Sequence, residues 1–90
     1  MIDGFSASDV KIEKTPGGTV VHAVGALKNE TDKQRFGVTV ELELLDDAGK
    51  KIGVAKDYKD TIEPHSAWTF QAPIVKTNVA AARVAAVREQ

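Results

Sequence analysis

Residues 36–45 read FGVTVELELL, and apolar side chains recur at every second position of this stretch. Successive side chains of a β-strand point to opposite faces of the sheet. The alternation therefore predicts a strand with one face in the core and the other in water. The side chains expected in the core are Phe36, Val38, Val40, Leu42 and Leu44.

The residues that follow predict a hairpin. Residues 46–50 read DDAGK, and an acidic start followed by glycine suits a type I turn that ends in a left-handed Gly49. Residues 51–58 form the returning strand. Its side chains are expected to face the core at Ile52 and Val54, and to point away from it at Lys51, Ala55 and Asp57.

Three further strands are predicted from shorter patterns. Residues 5–14, 19–28 and 67–71 each combine apolar and polar side chains at strand spacing. The stretch Thr15-Pro16-Gly17-Gly18 is a turn signal, because proline presets φ and glycine permits a positive φ.

The C-terminal residues 79–88 leave two alternatives open. Their five alanines favour a helix, since alanine has the highest helix propensity. An all-β chain, however, needs a last strand to complete its sheet. We expect a strand over residues 83–88, with Val84 and Ala86 facing inward.

Length and composition define the fold class. Ninety residues is the size of one ordinary domain, so we expect residues 1–90 to form a single folding unit. Twelve alanines and eleven valines supply small and β-branched side chains, and the β-branched ones pack well on a pleated sheet. We predict an all-β, immunoglobulin-like antiparallel sandwich of about seven short strands. Besides the apolar set of residues 36–45, the inward side chains are Ile52, Trp68 and Phe70.

The charge balance excludes several classes of partner. Twelve basic and thirteen acidic residues are interspersed and give a formal net charge of −1, whereas nucleic acids and anionic membranes need a basic patch. No apolar run reaches the roughly 20 residues that span a bilayer, and the N-terminus lacks the pattern of a signal peptide. We expect a soluble monomer without membrane insertion. The absence of cysteine excludes disulfides, thiolate zinc sites and cysteine nucleophiles.

The order and spacing of several short motifs resemble those of the FxLYD domains, small bacterial immunoglobulin-like modules. The matching motifs are VGALKN at residues 24–29, LELLD at 42–46, DAGK at 47–50, IEP at 62–64 and WTF at 68–70. Leu42 stands where the family has Phe, Leu45 stands where it has Tyr, and His65 falls where glycine is common. The resemblance covers residues 20–70. It implies an accessory module without catalytic residues, located in the cell envelope or outside the cytoplasm.

Few residues indicate chemistry. His65 and Ser66 are adjacent, so on a strand their side chains would diverge, and nothing supplies the rest of a triad. His22 and His65 would need further ligands to hold a metal. The acidic residues that could offer oxygen ligands to Ca²⁺ are Asp46, Asp47, Asp57, Asp60 and Glu63. Lysines lie among these acidic residues and oppose cation binding. We therefore expect no enzyme activity, no metal and no cofactor.

Asn29 has two interpretations. With Glu30 and Thr31 it matches the acceptor pattern for N-glycosylation. Alternatively, the Asn29 side chain bonds to nearby backbone and shapes the loop that follows, which is the interpretation we favour.

These observations predict a non-catalytic structural or protein-interaction module, an accessory domain of a larger bacterial cell-envelope protein with an unknown protein partner. The alternative is a stand-alone, cytoplasmic protein-binding or inhibitor domain that acts through loops or an exposed sheet edge. Strand addition at such an edge uses the backbone and needs no motif. The candidate edge is Lys51, Gly53, Ala55 and Asp57.

Overall fold

A computed structural model describes residues 4–14, 21–75 and 78–89 of the chain. The described residues form seven β-strands and no helix. The strands are β1 (Phe5–Ala7), β2 (Lys11–Lys14), β3 (Val21–Asn29), β4 (Arg35–Leu45), β5 (Lys51–Ile62), β6 (Ala67–Ile74) and β7 (Ala81–Arg88). They form two antiparallel sheets, which confirms the predicted all-β sandwich of about seven strands. The predicted turn at residues 15–18 lies outside the described residues.

The first sheet is built around β3, with β6 on one side and both β1 and β2 on the other. Ala7 pairs with Leu27 and Lys11 pairs with Val24, so three residues of the first chain segment lie opposite two residues of β3. This extra residue separates β1 from β2. Ser8 bridges the break, because its hydroxyl accepts the Ala26 N–H at 2.8 Å and its own N–H donates to the Ala26 carbonyl at 2.9 Å.

The second sheet has β4 in the centre, between β5 and β7. The β4–β5 turn has the predicted form. Gly49 has a φ of 79°, and its N–H donates to the Asp46 carbonyl at 2.9 Å. The Asp46 carboxylate accepts the N–H groups of Ala48 and Lys50 at 3.0 and 2.9 Å. This aspartate therefore fixes the turn.

The two sheets pack face to face around an apolar core. Most of the predicted inward side chains are fully buried, namely Val38, Val40, Leu42, Leu44 and Phe70. Ile52 and Trp68 are partly buried and pack against the core, and the Trp68 and Phe70 rings meet edge to face at 5.9 Å. Burial of alternate side chains on β4 is the physical basis of the fold, because a slip of one residue would move the whole set into water.

Phe36 does not belong to the core, and its side chain is 55% exposed. Gly37 next to it has a φ of 58°, so the strand leaves its extended conformation and the alternation of side chains breaks there. The Arg35 side chain points inward in place of Phe36. Its guanidinium lies 4.4 Å above the Phe5 ring and donates to the Glu89 carboxylate, with a distance of 2.8 Å from Nε.

The predicted orientation of β5 is wrong beyond Ile52. Leu44 pairs with Gly53 and Leu45 pairs with Lys51, so Ile52 is an extra residue in a β-bulge. The bulge reverses the alternation. Val54, predicted to face the core, is 46% exposed, and Ala55, predicted to point away, is 5% exposed.

The C-terminal segment is a strand, β7, rather than a helix. Leu42 pairs with Val84 and Glu41 pairs with Ala86, so Ala85 has no counterpart on β4 and forms a second bulge. Val84 is partly buried against the core, as predicted. The prediction that Ala86 faces inward is wrong. Ala86 lies opposite Glu41 on the outer face, because the bulge shifts the alternation by one residue and Val87 is buried instead.

Candidate interaction edge

The strand β5 lies at one edge of the second sheet. Of the described strands it pairs with β4 alone, over the full length from Lys51 to Ile62. Every second backbone N–H and carbonyl of an edge strand points away from its neighbour, so such a strand can accept another chain. Among the described strands, none pairs with the outward backbone groups of β5.

Asp57 divides this edge into two parts. Its carboxylate accepts the Tyr58 N–H at 2.9 Å through Oδ1 and the Gln71 N–H of β6 at 2.9 Å through Oδ2. The prediction that Asp57 points away from the core is wrong, because Asp57 pairs with the buried Val40 and its side chain points toward the other sheet. The C-terminal half of β5 thus runs beside β6. Residues 51–56, which precede this contact, form the free edge of β5.

Side chains of the free edge point to two environments. Gly53 and Ala55 lie opposite Leu44 and Leu42, on the side of the core. The outer side carries Lys51, Val54 and Lys56, which lie opposite Leu45, Glu43 and Glu41. Of the predicted edge residues, only Lys51 presents its side chain fully to solvent, since Ala55 is buried and Asp57 is bonded to β6.

The outer face of this sheet carries a ladder of ion pairs. Glu41 lies 3.9 Å from the Lys56 ammonium and 3.6 Å from the Arg88 guanidinium, so one carboxylate serves two cations. Glu43 lies 3.5 Å from Arg83. These exposed cross-strand pairs contribute little each to stability, about 0–1 kcal/mol. In this network two carboxylates face three cations.

Tyr58 extends the outer face beyond the free edge and is 49% exposed. Desolvation of the phenol by neighbouring atoms, followed by the negative charge of Asp60, raises the pKa of Tyr58 above its ordinary value. The hydroxyl therefore stays protonated and remains a hydrogen-bond donor well into alkaline conditions.

Other strand edges carry features that oppose strand addition. On β6, Pro73 has no N–H to donate, and the Gln71 N–H is already bonded to Asp57. On β7, the bulge at Ala85 bends the strand, a common means of protecting an edge. The free edge of β5 contains neither a proline nor a bulge after Ile52.

The histidines weighed for catalysis and metal binding are far apart. His65 lies beside Ser66, whose carbonyl accepts the Asn29 N–H at 2.9 Å. His22 precedes Asn29 on β3 by seven residues, which span about 23 Å in a strand. The His65 ring nitrogen Nε2 bonds instead to the exposed Asp32 carboxylate at 2.6 Å. Among the described residues, no group of three or more His, Cys, Asp or Glu side chains has a geometry for a metal ion.

Asn29 has the loop-shaping role that its position suggests. The side chain is fully buried and fully bonded. Its amide Nδ2 donates to the carbonyls of Lys33, Ile62 and Glu63 at 2.7, 3.3 and 3.2 Å. Its Oδ1 accepts from the N–H and hydroxyl of Thr31 at 3.0 and 2.6 Å. A side chain so enclosed holds two loops together and is not presented for glycosylation in the folded domain.

His65 has a left-handed φ of 59°, a conformation that glycine adopts without strain. Two other contacts have no direct signal in the sequence. The ion pair of Arg35 with Glu89 joins residues 54 positions apart, and the bond of Asp57 with Gln71 depends on how the two sheets meet.

The fold and the edge define a two-sheet antiparallel β-sandwich with an open edge strand. No protein-family model matches the chain, and no curated protein matches it. A solved structure of IrmA from Escherichia coli is similar, with a TM-score of 0.66 and 20% sequence identity over 96% of this chain and 76% of that one. At this identity the similarity shows a shared fold. Among the described residues, no helix has the length and hydrophobicity needed to cross a membrane.

Proposed function

We propose that this chain is a non-catalytic structural or protein-interaction module, which serves as an accessory domain of a larger bacterial cell-envelope protein. The observation that carries the proposal is the free edge of β5, which pairs with β4 on one side and with no other described strand. An open edge binds an extended segment through backbone hydrogen bonds, so it gives a domain of this size a binding mode without a pocket.

The use of the polar side chains supports a non-catalytic role. Asn29 is committed to five loop contacts, and Glu41 is shared between two cations of the sheet. Arg35 and Glu89 are bonded to each other and connect β4 to the C-terminal segment. Groups held in this way position backbone and strands, whereas general acids, bases and nucleophiles must be directed at a substrate.

The envelope location rests on the resemblance to FxLYD domains. It is tested by raising an antibody to this domain and probing soluble and envelope fractions of the source cells, with marker proteins for each fraction. We expect the antibody to detect a polypeptide larger than 9.7 kDa in the envelope fraction. A free 9.7 kDa species in the soluble fraction would contradict the envelope role and favour the stand-alone binding domain.

A further inference from the structure

The outer side of the free edge is basic. Lys51 and Lys56 are both exposed there, and the exposed Lys50 precedes the free edge in the turn. The Asp57 carboxylate is turned away from this side and bonded to β6. Glu41 is the nearest carboxylate to Lys56, but it is shared with Arg88. Among the described residues, the Lys51 ammonium forms no ion pair, and Lys56 shares its carboxylate with a second cation.

The inner side of the free edge is apolar and small. Gly53 and Ala55 lie opposite the core residues Leu44 and Leu42, and the one side chain of this pair, the Ala55 methyl group, is buried. A strand added to β5 would place alternate side chains beside Gly53 and Ala55, where apolar groups would be removed from water. Its remaining side chains would lie next to Lys51, Val54 and Lys56.

We propose that the free edge binds an extended protein segment with apolar side chains on its inner face and carboxylates on its outer face, beside Lys51 and Lys56. This inference rests on the proposed interaction function and specifies the chemistry of the partner. Opposite charges on neighbouring strands attract, and like charges repel, so the lysines favour an acidic strand and reject a basic one. The same lysines oppose pairing between two copies of β5.

The test uses the whole domain and two synthetic ten-residue peptides with blocked ends. In the first, valine alternates with glutamate, and in the second, lysine replaces every glutamate. Binding is followed by the backbone amide shifts of the ¹⁵N-labelled domain. We expect the acidic peptide to shift the amides of residues 51–56, with affinity that falls as salt is added, and to bind at least about tenfold more tightly than the basic peptide.

Charge-reversal variants localise the effect. Lys51→Glu combined with Lys56→Glu should weaken binding of the acidic peptide by about tenfold or more. The matched control, Lys11→Glu combined with Lys14→Glu on β2, makes the same charge change on exposed lysines of the other sheet and should leave the affinity unchanged. Thermal unfolding of each variant verifies that it is folded.

Three outcomes would overturn the inference. Equal binding of the two peptides would remove the preference for carboxylates but leave edge binding intact. Shifts centred on β7 or β6 would move the site elsewhere. Absence of shifts with either peptide at millimolar concentration would exclude this partner chemistry. None of these outcomes changes the size or location of the native polypeptide, so the fractionation experiment decides the accessory role separately.

Discussion

Replacing Asn29 by aspartate is the most demanding test of the loop architecture. The change keeps the shape of the side chain and the acceptor that faces Thr31. It replaces the Nδ2 donor, which serves the carbonyls of Lys33, Ile62 and Glu63, by a carboxylate oxygen. The new carboxylate oxygen then faces these three carbonyl oxygens at a fully buried residue. Two of the carbonyls keep another donor, since Lys33 accepts from the Thr31 hydroxyl at 3.2 Å and Glu63 accepts from the Ser66 N–H at 3.2 Å.

The magnitude follows from the loss of the two Nδ2 hydrogens, which three carbonyls share. The shortest of these contacts, at 2.7 Å, has the geometry of a full hydrogen bond, and the other two at 3.3 and 3.2 Å are weaker. A buried hydrogen bond contributes about 1 kcal/mol net, and an unsatisfied buried group costs about 1–3 kcal/mol. We expect Asn29→Asp to lower the free energy of unfolding by about 3–4 kcal/mol at pH 7. That is a large part of the roughly 5–13 kcal/mol of a domain this size.

Urea denaturation at two pH values tests this reasoning. The protonated carboxyl can donate to a carbonyl, so folding should raise the pKa of the introduced group above its unfolded value of about 3.9. The stability deficit of Asn29→Asp is therefore expected in full at pH 7 and should shrink as the pH falls through the raised pKa. The control is Asn78→Asp, the same change at an exposed asparagine. A deficit below about 0.5 kcal/mol at pH 7, or one that grows on acidification, would refute the assigned bonds.

Three further predictions concern other contacts. The hydrogen bond from Arg35 lowers the pKa of Glu89. Glu89→Gln should therefore lower the free energy of unfolding by about 0.5–1 kcal/mol at pH 7. In urea titrations this difference should disappear as the pH falls from about 4.3, the pKa of an unfolded Glu, through the lowered pKa of the folded state. Gly25→Ala places a Cβ 2.6 Å from Cζ of Phe70, so it should destabilise the domain by about 1–3 kcal/mol, and an unchanged urea midpoint would contradict the packing. Tyr58 is the single tyrosine, so absorbance should give a titration midpoint above about 10, and a lower midpoint would be incompatible with its surroundings.

The sequence predicts the fold where alternate side chains have contrasting environments. The β4 pattern from Val38 to Leu44 is correct because one face is buried and the other carries the Glu41 and Glu43 ion pairs. The bulges at Ile52 and Ala85 cannot be recognised from a period-2 pattern, because each adds one residue and moves all later side chains to the opposite face.

The C-terminal alanines show the limit of local propensity. A helix preference of a few tenths of a kcal/mol per residue is smaller than the gain from pairing β7 with β4 and burying Ala82 and Val87. The pattern of residues 51–58 predicts a strand at the candidate edge but not which of its side chains are exposed. The free edge ends at Asp57 because this residue bonds to Gln71 of the other sheet, and contacts between sheets have no local sequence signal.

Amide hydrogen exchange of the free domain, measured by NMR, tests the central claim that β5 is an open edge. Alternate amides of residues 51–56 should exchange slowly, because they bond to β4, and the others should exchange fast, because they point to solvent. In β4, protection is expected from Thr39 to Leu45, where the strand pairs with both β5 and β7, and the Gln71 amide should be protected by Asp57. Uniform slow exchange along residues 51–56 would show that the edge is already covered and would contradict the account.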